Sequence, residues 1–145
     1  MKKLIFKTFL LLSIIFLNRC KSFNNCDEIH DLMKEQEKSW NMGSIDNFMD
    51  KYWNDDSLIF ISKSGINYGW EKTISNYKKS YRNKNDMGKL EFENIFCKPI
   101  NKTSHLISGR WNIYMSDSTR NSGGYYSLIW VKKNKEWKII YDHTS

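Results

Sequence analysis

From residue 90 onward the chain reads as four apolar-rich segments separated only by short polar turns, and that spacing admits few folds. In the first, 90–97, residues alternate: Leu90, Phe92 and Phe96 on one side, Glu91 and Glu93 on the other. Alternation with period two marks a half-buried strand. Segment 103–115, with Ile107, Trp111 and Ile113 on one face, is the second, and 125–133 and 137–144 follow across "SDSTRNSGG" and "KNKE". Parallel neighbours need a crossover of roughly a dozen residues or more, so turns this short imply an antiparallel meander.

The preceding part has the helical period instead. Ile29, Leu32, Met33, Gln36 and Trp40 form one stripe, with Asp27 placed to cap its start and Gly43 its end. Ser44 caps a second, shorter helix with Ile45, Phe48, Met49, Tyr52 and Trp53 on one face. "SLIFIS" is a strand and "INYG" its short return. A third helix carries Trp70, Ile74, Tyr77 and Tyr81 on one face, and "RNKNDMGK" is a loop. The order α-α-β-β-α-β-β-β-β is an α+β layout. Three helices packed on a curved antiparallel sheet make a cone with a cavity at its open end.

Residues 1–20 stand apart. A basic start, Met1-Lys2-Lys3, precedes "FLLLSIIFL", an apolar run too short to span a bilayer. This is the pattern of a secretory signal. "LNRC" then places Cys20 where an acylated cysteine would stand, so plain secretion and a lipid anchor on Cys20 both stay open. The expected compartment is the periplasm or a membrane-anchored lipoprotein layer of a bacterium. Residues 21–26 read as a linker and 27–145 as one domain, long enough for one core. The formal charge is +7. Four of the 23 basic residues (Lys2, Lys3, Lys7 and Arg19) lie in the leader, leaving 19 against 16 acidic ones. No basic stripe remains to neutralise phosphates, so no nucleic-acid partner is expected. Membrane contact is expected only through Cys20. Cys26 and Cys97 could pair in an exported protein or remain thiols, and no cysteine spacing suggests a metal.

The order of elements resembles the nuclear transport factor 2-like fold, and more narrowly the SnoaL-like group of small bacterial domains. The segments that carry the resemblance are "SWNMGSIDNFMDKYW" across the first two helices, "YGW" opening the third, and the closing "WKIIYDHTS". It covers residues 27–145. Ser44 stands where relatives often carry aspartate, and Tyr141 where they often carry a second histidine. The resemblance implies the fold; it does not imply one function, because this fold hosts enzymes, transport adaptors and association domains.

Function must therefore be read from side chains. Period two puts Trp137, Ile139, Tyr141 and His143 on one face of the last strand and Asp142 on the other. The aromatic face is the expected inward one, which turns His143 into the cone. Asp142 and His143 cannot act as a pair unless a bulge intervenes. An inward His143 is the candidate catalytic acid–base, histidine being the side chain suited to proton transfer near neutral pH; the plain alternative is that it pins the strand. Trp40, Asn41, Tyr52, Trp53, Trp70, Tyr77, Trp111 and Tyr141 are the candidate substrate-binding residues. They would make an aromatic pocket with a few polar points, the general form of a small-molecule site; the alternative is ordinary core. Arg110, opposite Trp111, and Asp142 fall on the outer sheet face, where two copies would pair. No nucleophile elbow, phosphate loop or paired-carboxylate motif is present, and no cofactor or metal is expected. The reading is an exported domain binding a small apolar or aromatic molecule. The alternatives are a cofactor-independent isomerase, cyclase or hydratase using His143, and a homodimeric interaction module.

Overall fold

The stripe that begins at Ile29 forms helix α1, Asp27–Asn41, in the computed structural model, which describes residues 26–116 and 121–145. The expected leader, Cys20, most of the linker and part of the turn before the third meander strand lie outside the described residues. Ile29, Met33, Gln36 and Trp40 are buried, as the helical period requires. Asp27 and Glu28 in the first turn and Lys38 in the last complement the helix dipole. Cys26, rather than Asp27, holds the N-cap position, and its sulfur is bonded to Cys97. Gly43 follows the helix with φ 85°, a conformation that a side chain would strain.

Ser44 caps α2, Ile45–Met49, by accepting a hydrogen bond from the Asn47 N–H. The helix is shorter than its stripe predicts. Tyr52 and Trp53 lie beyond its end, where Tyr52 bridges to Ile139 instead. Strands β1 (Ile59–Ser62) and β2 (Gly65–Tyr68) form a hairpin, and α3 covers Trp70–Ser80. The expected loop contains one more helical turn, α4, Lys84–Met87. The Asn83 side chain makes it by accepting from the N–H groups of Asn85 and Asp86, and local capping of this kind leaves no apolar period to read. The meander strands are β3 (Lys89–Asn101), β4 (Ser104–Tyr114), β5 (Ser122–Lys133) and β6 (Glu136–Thr144).

The sheet order is β2-β1-β6-β5-β4-β3. Every pairing is antiparallel except one: β6, its direction set by the meander, lies parallel to β1. The expected all-antiparallel sheet is corrected at that single seam. The helices pack against one face, and Met49 of α2, Leu58 just before β1, and Ile107, Trp130 and Ile139 of the sheet are fully buried.

Two irregularities steer side chains. Ile95 is an extra residue in β3, since Asn94 pairs with Gly109 and Phe96 with Ser108. Phe96 is therefore turned to the outer face, 46% exposed, and not beside Leu90 and Phe92 as alternation predicts. Ile140 is an extra residue in β6, since Ile129 pairs with Tyr141 and Trp130 with Ile139. After this bulge the phase of β6 reverses. Asp142 is buried on the helix-facing side at 4% exposure, and His143 is exposed on the outer side. The expected facing of these two residues is thereby exchanged.

Candidate functional site

Between the inner sheet face and the helices lies a cavity of about 250 Å³. Trp40 from α1, Phe48 from α2 and Tyr77 from α3 form one wall. Phe92, Trp111 and Tyr126 from β3, β4 and β5 form the other. The rings meet mostly edge to face: Trp40 lies 5.2 Å from Phe48 and 4.7 Å from Tyr81, and Phe92 lies 5.5 Å from Tyr126. Such contacts hold the wall stiffly. Toward the β1–β2 hairpin and the end of α3 the lining becomes hydroxyl and amide: Ser62, Ser64, Asn67, Asn76 and Ser80. Ser64 and Ser80 are exposed, so the cavity reaches solvent there.

Asp142 borders this space, and it is the one charged side chain among the described residues that do. Its Oδ2 accepts a hydrogen bond of 2.6 Å from the Tyr52 hydroxyl, while its buried Oδ1 has no hydrogen-bond partner. Burial pushes the Asp142 carboxyl up to about 7, against the opposing pull of the Tyr52 hydrogen bond. The phenols of Tyr52 and Tyr77 are in turn pushed well above their usual value, first by burial and then by the charge of Asp142. Tyr126 is raised for the same two reasons, and its hydroxyl donates to Asn94 Oδ1. All three phenols stay neutral across the range in which Asp142 titrates.

Of the residues expected to form a site, Trp40, Tyr52, Tyr77 and Trp111 border the cavity. The others lie elsewhere for identifiable reasons. Asn41 hydrogen-bonds β3, donating from Nδ2 to the Leu90 carbonyl and accepting from the Leu90 N–H, both at 2.8 Å. Trp70 donates from its indole to the Met49 carbonyl at 3.0 Å. Trp53 lies beyond α2 with the Lys133 ammonium 5.2 Å from its ring. Tyr141 and His143 are turned outward by the Ile140 bulge. The acid–base role read for His143 thus has no access to the cavity, and the titratable group that has it is Asp142. Phe48, Phe60, Tyr81, Phe92 and Tyr126 complete the aromatic part of the lining. Their signal was the same aromatic density, but nothing in the sequence separates lining rings from core rings. Asn41→Ala is expected to destabilise the fold by roughly 2 kcal/mol, as a paired backbone site loses both partners. Chemical denaturation checks this, and ligand binding should be unchanged.

Among the described residues, no three His, Cys, Asp or Glu side chains are grouped to hold a metal. No helix there is long and apolar enough to cross a membrane.

This architecture, helices packed on one face of a curved and mostly antiparallel sheet with a cavity between, defines the class of protein. A protein of unknown function from Shewanella oneidensis, described as NTF-2 like, superposes with a TM-score of 0.78 and 33% identity, over 82% of this chain and 97% of that one. The chain belongs to the nuclear transport factor 2-like family. A domain of unknown function with a cystatin-like fold from Nostoc punctiforme (TM-score 0.69, 17% identity, 82% of this chain and 75% of that one) shares the fold. So does a nuclear transport factor 2-like superfamily protein from Salmonella enterica (0.60, 17%, 82% and 88%). No protein-family model matches the sequence, and no curated protein does.

Proposed function

We propose that the chain is an exported, SnoaL-like small-molecule-binding domain whose ligand occupies the cavity against Asp142. One observation carries this reading: a buried carboxylate, with an oxygen that no protein group satisfies, borders a preformed aromatic cavity. Leaving such a group unpaired is costly for the fold, and a ligand that engages it recovers that cost. At about 250 Å³ the space lies just below the size of drug-sized pockets, so the ligand is small. Export is supported by the signal-like leader and by the Cys26–Cys97 disulfide, since disulfides persist in oxidising compartments. Native mass spectrometry of the protein purified from its own host is expected to reveal a bound small molecule. Leu128→Trp, which fills the cavity from β5, is expected to displace it. The same bare mass for both proteins would sink the reading.

A catalytic reading is favoured by one feature, a carboxyl held near neutral pH beside a phenol. In that reading Asp142, not His143, moves the proton of an isomerase, cyclase or hydratase. A homodimeric arrangement is supported by the outer sheet face, where Phe96, Tyr114 and Tyr125 are 46%, 43% and 53% exposed. There the exposed Arg110 stacks on Tyr125 and donates to its hydroxyl. Asp142 takes no part in that face. Phe96→Glu is expected to convert a dimer to a monomer in light scattering; an unchanged mass would remove this face as the interface.

A further inference from the structure

The cavity combines features that together select a ligand by charge. Aromatic rings stand on both walls: Trp40, Phe48 and Tyr77 from the helices, Phe92 and Trp111 from the sheet. The polar groups at its mouth are hydroxyls and amides, which carry no charge. No lysine, arginine or histidine borders it among the described residues. A carboxylate or phosphate placed inside would find no counter-charge and would meet Asp142, a like charge in a poorly hydrated space.

A cation meets the opposite environment. Ring faces attract cations, most strongly once water is removed, and a cage of aromatic rings is the usual way proteins recognise quaternary ammonium groups. Asp142 Oδ1 has no hydrogen-bond partner, so its charge is only half compensated by Tyr52. We infer that the ligand is a small organic cation, an amine or quaternary ammonium compound, held by the aromatic walls and paired with Asp142. This rests on the proposed small-molecule reading and adds to it the sign of the ligand's charge.

Proton linkage follows. The titratable groups that face Asp142 are the phenols of Tyr52 beyond α2, Tyr77 on α3 and Tyr126 on β5; β1 presents Phe60. None of the phenols changes charge near neutrality. Asp142 alone sets the pH dependence: a cation favours its ionised form, so binding below neutral pH releases a proton and weakens as pH falls.

The probes are choline and its neutral carbon isostere, 3,3-dimethylbutan-1-ol, titrated into the full domain while tryptophan fluorescence from Trp40 and Trp111 is followed. Choline is expected to bind at least about tenfold more tightly than the isostere. Asp142→Asn is expected to cut that preference sharply, leaving the part due to the rings, and Phe48→Leu to reduce it while leaving Asp142 in place. Affinity for choline should fall about tenfold per pH unit below the Asp142 pKa. Equal binding of the two probes, or undiminished choline binding by Asp142→Asn, overturns the inference and leaves the cavity reading standing. Binding of neither probe also overturns it. Whether the cavity reading fails too is then decided by the native mass of the parent protein against Leu128→Trp.

Discussion

Asp142→Asn is expected to be more stable than the parent protein above neutral pH, by on the order of 4 kcal/mol. The sign follows from the direction of the shift. Burial raises the folded-state carboxyl from 3.8 to about 7, so the folded protein binds the proton more tightly than the unfolded chain does. The stability linked to this group is fully present below about pH 4, falls as pH rises between the two pKa values, and is lost above about 7. Each pH unit between them is worth about 1.4 kcal/mol. Asparagine has nearly the same shape, can accept the Tyr52 hydroxyl, and carries no charge to desolvate. His105 complicates the parent's own profile. It is buried edge-on against Trp137, and burial lowers its pKa, which removes stability as pH falls. Comparing the two proteins cancels that contribution. Urea denaturation from about pH 4 to pH 8 should give curves that converge at the acid end and separate at the basic end. Parallel curves would mean that Asp142 is ionised without penalty, and the argument for an unsatisfied carboxylate would go with it.

Reducing the disulfide is expected to cost about 4 kcal/mol as well, through the unfolded state rather than the folded one. Cys26 and Cys97 are 71 residues apart in sequence. A cross-link closing a loop of that length removes much of the conformational freedom of the denatured chain. It also ties the start of α1 to the middle of β3, adding to the hydrogen bonds by which Asn41 and the Glu37 carboxylate, toward the other end of the helix, hold the Leu90 and Phe92 backbone at the start of that strand. In a domain of this size such a loss lowers the melting temperature by roughly 10–20 °C. Thermal unfolding with and without a reductant measures it, with Cys26→Ser/Cys97→Ser as the control that reductant should leave unmoved. If the parent protein melts at one temperature in both conditions, the cross-link contributes nothing.

Much of the fold was legible because its signals are local. The α1 stripe from Ile29 to Trp40, the Ser44 cap and the alternation in β4 each report on a face that must be buried. What escaped were features that period two cannot register. Ile95 with Phe96, and Ile139 with Ile140, put apolar residues in both phases of a strand, so neither side is marked as inner. At both places the strand takes an extra residue and its phase changes. The exchange of His143 for Asp142 at the cavity comes from that one inserted isoleucine. The parallel β1–β6 seam was hidden for a different reason: short turns show which strands are neighbours along the chain, but not which edge of a meander receives a distant hairpin. Half the site was read from aromatic content alone. The other half, Tyr52 holding a buried Asp142 across 90 residues, is a long-range pairing that no local pattern encodes.

The seam also fixes when the molecule can form. β1 and β2 leave the ribosome long before β6, yet among the described residues β6 is the one strand that joins their hairpin to the rest of the sheet. A two-stranded hairpin has little stability of its own in water. Until β6 arrives, the early helices have half a sheet at most to cover. Assembly therefore waits on a contact between elements some eighty residues apart, the kind of topology in which closing a long loop slows folding. A nascent chain arrested before β6 should remain protease-sensitive throughout, and one extended past it should become resistant in a single step.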